Sequence, residues 1–267
     1  MTPTGFFFRL PITIIFLVVL GAMFATVALG RRMGERDRKD CDDDSRTHAT
    51  GLQAAVLGLL ALLLGFTFSA AALRYDSNRD IVVAEANAIK TAYLRADLAV
   101  EPERTALRAI LERYVDLRVA FYQVGVDARQ RASVDAESER LQARMWAQAM
   151  TSAARSTSYS MPLLVDSVNK VIAFHETRLD AARNHVPPEI LWLLVIMAPA
   201  TTGLTGYVAG FGNRRLQAPT SIVLVLIALV IGVIVDLDRP MHGFIRGGQD
   251  AMLDLERSLQ RMPLSLS

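Results

Sequence analysis

Apolar positions along this chain fall into four long blocks, near Pro11–Leu29, Gly51–Leu73, Ile190–Phe211 and Thr220–Val235, with the charged residues gathered between them. A helix rises about 1.5 Å per residue, so roughly 20 apolar residues cross a hydrocarbon core about 30 Å thick. The first block is long enough, and Pro11 sits in its first turn, where a missing N–H costs little. A cleaved signal peptide is the competing reading of this block. Its apolar run is too long, and no small-residue cleavage site follows before Arg31 and Arg32, so a retained span is expected. The second block has no ionisable residue, and Ala61, Gly65 and Ser69 recur every four positions as a helix-packing face. The third holds Pro199 and three glycines, with Trp192 and Tyr207 near its ends as interfacial anchors. The fourth is short and β-branched, but an unpaired strand is not viable in lipid, so a helix is predicted.

Between the second and third blocks the period is helical and the composition polar. No Gly or Pro intervenes between Leu73 and Leu98, so the second membrane helix should continue into solvent. Pro102 opens the next helix, with Glu101 as its cap. Leu107, Ile110, Leu111, Tyr114, Leu117, Phe121 and Tyr122 make one buried stripe on it. Further helices are expected from about Ser133 to Arg155 and from Met161 to Asn184, before Pro187 and Pro188 reset the chain. The predicted fold class is all-α: a polytopic membrane protein of four transmembrane helices with an inserted helical bundle. Its parts are 1–75 (two spans and a connecting loop at 30–50), 76–186 (the bundle), 187–236 (two spans) and 237–267 (a C-terminal tail).

Composition narrows the function. The chain of 267 residues is 52% hydrophobic and 21% charged, which argues against disorder. A net charge of +2 argues against a dedicated nucleic-acid binder. The single cysteine, Cys41, leaves no internal disulfide and no thiolate zinc cluster. The four histidines, His48, His175, His185 and His242, lack the spacing that puts two ligands on one helix face. They are expected to be solvated or at the edge of a core. Asp236 and Asp238 come closest to a membrane-embedded acid pair of the kind used in intramembrane proteolysis or proton transport, but they lie past the last apolar residue, where a solvated helix end is the even alternative. The acidic run Asp40, Asp42, Asp43 and Asp44 reads as a soluble linker. No nucleophile, acid–base pair or phosphate loop is visible, so neither enzyme activity nor a cofactor or metal is expected.

With four spans, the termini and the middle domain share one side of the membrane. Basic residues are dense on both sides. The cluster Arg31, Arg32, Arg36, Arg38 and Lys39 tips the positive-inside balance toward cytosolic loops.

Leu62-Leu63-Leu64-Gly65-Phe66-Thr67-Phe68-Ser69 followed by Leu73-Arg74-Tyr75 resembles the second membrane helix of bestrophins, a family of anion channels. Asp236-Leu237-Asp238-Arg239-Pro240 is similar to the acidic, proline-containing turn after their last membrane helix. Glu85-Ala86-Asn87-Ala88-Ile89 and Tyr93-Leu94-Arg95-Ala96-Asp97 resemble the bacterial bestrophin-like family, and to that family the resemblance covers nearly the whole chain. It implies a homo-oligomer, a pentamer, passing small anions through an axial pore lined by the second helices. It puts the pore neck at Phe66, Leu62 and Gly58, where Gly58 departs from the bulky residue of the family. It also implies an integral protein of a bacterial inner membrane, with the middle domain cytosolic and Arg74, Tyr75, Asp236 and Asp238 at the junction between domain and membrane. Only two acids stand where calcium-gated bestrophins clasp a cation. The alternative function is a non-conducting membrane scaffold or sensor whose helical domain binds a partner.

Overall fold

The computed structural model describes residues 11–39, 42–123, 128–156, 158–183, 186–211, 218–239 and 249–261. All regular structure among them is helical: α1 (Ile12–Asp37), α2 (Asp43–Arg95), a 3-10 turn (Ala96–Leu98), α3 (Glu103–Gln123), α4 (Ala128–Arg155), α5 (Met161–Arg183), α6 (Pro188–Phe211), α7 (Ala218–Leu237) and α8 (Gln249–Arg261). The chain forms two compact units, Met1–Arg74 with His185–Arg239, and Tyr75–Asn184 with Pro240–Ser267.

In the first unit, α1, α6, α7 and the leading part of α2 are each long and apolar enough to cross a bilayer. Lipid-like association cannot rely on the hydrophobic effect, so close packing and hydrogen bonds between helices must hold them. The α1–α6 pair shows both. Ile15, Val19, Met23, Val27, Gly30 and Gly34 make the buried stripe of α1. A Cβ on Gly30 would lie 2.0 Å from the Gly203 carbonyl oxygen, and one on Gly206 would lie 2.1 Å from that of Val27. One on Gly34 would lie 2.1 Å from the Tyr207 carbonyl oxygen. These are backbone-on-backbone contacts that only glycine permits, and their register runs parallel. Thr26 and Thr202 hydroxyls meet across the seam at 3.1 Å, and the Tyr207 hydroxyl donates to Asp37 at 2.9 Å. Pro199 sits inside α6; the Thr202 hydroxyl donates to its carbonyl oxygen at 3.0 Å. Such side-chain bonds are how a membrane helix tolerates proline. α7 buries Leu224, Ala228, Ile231 and Ile234, with α1 as its main neighbour, and leaves Ile222, Val225, Leu226 and Leu229 exposed within the chain.

The connection expected over 30–50 is much shorter. α1 continues to Asp37 and α2 starts at Asp43. The acidic run is a helix start rather than a linker: Asp42 accepts the Ser45 N–H at 2.9 Å, and Asp43 and Asp44 fill the first turn, where negative charge suits the helix dipole. The Ser45 bond holds the Asp42 carboxyl below its usual range. Asp40 and Cys41 lie outside the described residues. α2 then runs unbroken for 53 residues, about 80 Å.

The second unit is a helical bundle around one apolar core. Val82, Ala86, Ile89 and Tyr93 of α2 meet Leu107, Leu111 and Tyr114 of α3, Leu141 and Met145 of α4, and Leu164 and Val168 of α5. Glu101, two residues ahead of α3, accepts the Thr105 hydroxyl at 2.9 Å and, at a long 3.4 Å, the Thr105 N–H of the first turn. Leu107, Ile110, Leu111 and Tyr114 are buried as their spacing predicts, while the side chains of Phe121 and Tyr122 lie outside the described residues. α4 starts at Ala128, earlier than the expected Ser133. The segment 237–267 is more than a tail: α8 neighbours α3 and inserts Met252, Leu255 and Leu259 into the same core.

Candidate functional site

The sequence-predicted neck lies on α2. Taking 100° per residue, the buried residues Leu60, Leu64, Thr67 and Ala71 form one stripe. Gly58, Leu62 and Phe66 centre about 170° away from it. Their exposure follows: Leu62 is 56% and Phe66 67% exposed, and a Cβ on Gly58 would meet nothing within 4 Å. Phe68 lies about 200° round from Phe66, on another face. Thr67 turns its hydroxyl back to the Leu63 carbonyl oxygen at 2.7 Å, so this buried polar group makes no demand on a neighbour.

Ala61, Gly65 and Ser69 are also exposed within one chain, beside the Gly58–Leu62–Phe66 stripe rather than opposite it. No side chain or backbone comes within 4 Å of a Cβ built on Gly65. The small residues that do bring helices together inside the chain are those of the α1–α6 seam. The sequence marks the Ala61, Gly65 and Ser69 stripe, yet among the described residues the close helix contact is made by the α1–α6 glycines, which it does not single out.

Arg74 and Tyr75 are half-buried and straddle the boundary between the two units. Asp236 and Asp238 are not a solvated helix end; both are buried, as is Arg239. The Asp238 carboxylate accepts the Val186 N–H at 2.8 Å. It thereby satisfies a backbone donor two residues ahead of α6 and ties the exit of α7 to the entry of α6. Backbone bonds from Asp238 to Ile234 and from Arg239 to Asp236 close the last turn of α7. Pro240 and His242 lie outside the described residues. Among the described residues no cluster of three His, Cys, Asp or Glu is placed to hold a metal ion.

A second polar constellation lies inside the helical bundle, and the site reading of the sequence passed over it. Glu85 of α2 is fully buried. Its carboxylate pairs with Arg118 of α3 at 3.2 Å and with Arg178 of α5, and accepts a long bond from the Tyr114 hydroxyl at 3.4 Å. Gln142 of α4 donates to that hydroxyl at 3.3 Å. Burial, reinforced by the Glu85 charge, pushes the Tyr114 hydroxyl well above the usual phenol range. Four helices thus share one buried ionic layer. A signal for it exists in the sequence: Val82, Glu85, Ala86, Ile89 and Tyr93 recur every three or four residues, placing one acid in an apolar stripe. His175, expected at a surface or core edge, is fully buried beside this layer. Nearer the bundle surface, Tyr93 donates to Glu112 at 2.8 Å and lies under Arg108. Desolvation and the Glu112 bond push its hydroxyl up to about 12.

The geometry defines an integral membrane protein of four spanning helices carrying an intervening helical bundle. The sequence model of the Bestrophin-like domain matches residues 15–252, and the chain belongs to that family. A bacterial bestrophin homologue from Klebsiella pneumoniae shares the fold at a TM-score of 0.65 and 16% identity, over 95% of this chain and 100% of that one. A tyrosine-to-alanine variant of that homologue matches with the same TM-score at 15% identity, covering 91% of this chain and 97% of its own. No curated protein sequence matches the chain.

Proposed function

We propose that this chain is one subunit of an oligomeric anion channel, with α2 of each copy facing a shared water path and Leu62 and Phe66 forming its apolar constriction. The observation that carries the reading is the one-sidedness of α2. Its inward face is buried by the rest of the protomer, while Gly58, Leu62 and Phe66 point the opposite way and stay exposed among the described residues. Copies meeting along the adjoining Ala61, Gly65 and Ser69 stripe could approach closely, since small side chains favour helix contact in lipid. An apolar ring of this kind gates by dewetting, and the positive edge of the Phe66 ring favours anions over cations. Gly58 leaves the neck short, with one apolar tier fewer than a bulky residue would give. On this reading the helical bundle is cytosolic and the protein sits in a bacterial inner membrane.

Reconstituted vesicles test it. The purified protein is expected to pass chloride, with reversal potentials in asymmetric KCl moving toward the chloride value. Phe66→Ala and Leu62→Ala are expected to raise conductance several-fold by removing the dewetted ring. In a Cys41→Ser background, Phe66→Cys should cross-link between copies, and Ile222→Cys on the lipid side of α7 should not. Silence from the wild type and from both alanine variants would leave the scaffold or sensor reading in its place.

A further inference from the structure

We propose that His175 is a proton-operated latch in the helical bundle: neutral, it packs α5 against the Glu85 layer, and on protonation it loosens α5 from that layer. The inference is independent of whether the chain conducts.

His175 is fully buried, and neither ring nitrogen has a hydrogen-bond partner. A neutral imidazole tolerates this at moderate cost, whereas a buried imidazolium without an acceptor does not. The charged groups around it are known element by element. From α2 comes Glu85, from α3 Arg118, from α4 Asp135, and from its own helix Glu176. Among the described residues Glu85 is the acid at the centre of the layer, and its oxygens are already engaged by Arg118, Arg178 and Tyr114. A second cation arriving there would share one carboxylate with two guanidiniums. Burial first, and the Arg118 charge second, hold the His175 ring below the ordinary histidine range, outweighing the pull of Glu85, Glu176 and Asp135.

The sign follows from linkage. A histidine titrates near 6.5 when unfolded or exposed. With the closed-state value depressed, the open state binds more protons between those two values. Closure is therefore complete above about 6.5 and weakens as pH falls below it, by up to tenfold in the opening equilibrium per pH unit for one proton.

Hydrogen exchange of the full-length protein in detergent reads this directly. Between pH 7.0 and 5.5, after correction for intrinsic rates, amides of α5 around Val171–Leu179 should exchange up to tenfold faster per unit of acidification, while those of α1 should not. His175→Gln and His175→Phe, which cannot gain the proton, should abolish the pH dependence; His48→Gln, at an exposed site, should leave it intact. Should both His175 variants fail to fold, the wild-type profile alone decides. A flat α5 profile overturns the proposal. So does increased α5 protection in acid, the outcome if the protonated ring swung to pair with Asp135.

Discussion

Glu85→Ala is expected to destabilise the helical bundle by about 3–5 kcal/mol, because it leaves the guanidiniums of Arg118 and Arg178 buried without the carboxylate between them. Domains hold a margin of roughly 5–15 kcal/mol, so this single change removes a large share of it. Glu85→Gln should fall in between, retaining an acceptor oxygen but no charge. The contrast that separates charge loss from lost packing is a triple replacement. Glu85→Leu with Arg118→Met and Arg178→Met removes the whole ionic set and should lie within a few kcal/mol of the wild type, on either side, since buried ion groups gain little over well-packed apolar ones. Pulse proteolysis of the detergent-solubilised protein would measure all three. Equal damage from Glu85→Ala and from the triple variant would show that the layer is held by something other than its own charges.

The second large effect lies in the membrane unit. In Gly206→Ala the new methyl would sit 2.1 Å from the Val27 carbonyl oxygen, and in Gly30→Ala 2.0 Å from that of Gly203. Neither neighbour is a side chain that can swing aside; both are helix backbone. The α1–α6 seam must open, with loss of the Thr26–Thr202 contact, at about 1–3 kcal/mol for each substitution. Gly21→Ala is the matched control, since nothing lies within 4 Å of its Cβ position. There the change should be neutral or slightly stabilising, because alanine favours a helix over glycine. Thermal unfolding in one detergent should rank the three variants; equal midpoints for Gly21→Ala and Gly206→Ala would mean the seam is not under contact pressure.

The spans were legible because each is announced locally, by a run of apolar residues long enough for a bilayer. The continuity of α2 was legible for the same reason, since no residue between Leu73 and Arg95 would break a helix. What local pattern does not carry is partnership. Gly30 and Gly206 look like any other membrane glycines until Gly203 and Val27 are brought against them. Glu85 stands out only as one acid in an apolar stripe, and nothing local says that its partners are Arg118 and Arg178 on two other helices. The acidic run at Asp42–Asp44 was misjudged because its charge count was weighed and its capping chemistry was not. Asp236 and Asp238 are buried because a position past the last apolar residue meets water only if nothing else covers it; the segment ahead of α6 reaches Asp238 through the Val186 N–H. α8 was missed although Met252, Leu255 and Leu259 carry helical spacing, because a 13-residue segment shows too few turns to stand out from a tail.

The parallel seam between α1 and α6 also constrains how the protein is made. Thr26 and Thr202 are 176 residues apart in the chain. At a synthesis rate of about 5–20 residues per second, the ribosome needs on the order of 10–35 s to deliver the second helix after the first. For that interval the glycine face of α1 has no mate, and its Thr26 hydroxyl has only its own backbone to turn to. The first span must therefore be stable without its α6 mate, held in place by the translocation machinery, by lipid or by the second span, until the third one emerges to claim it.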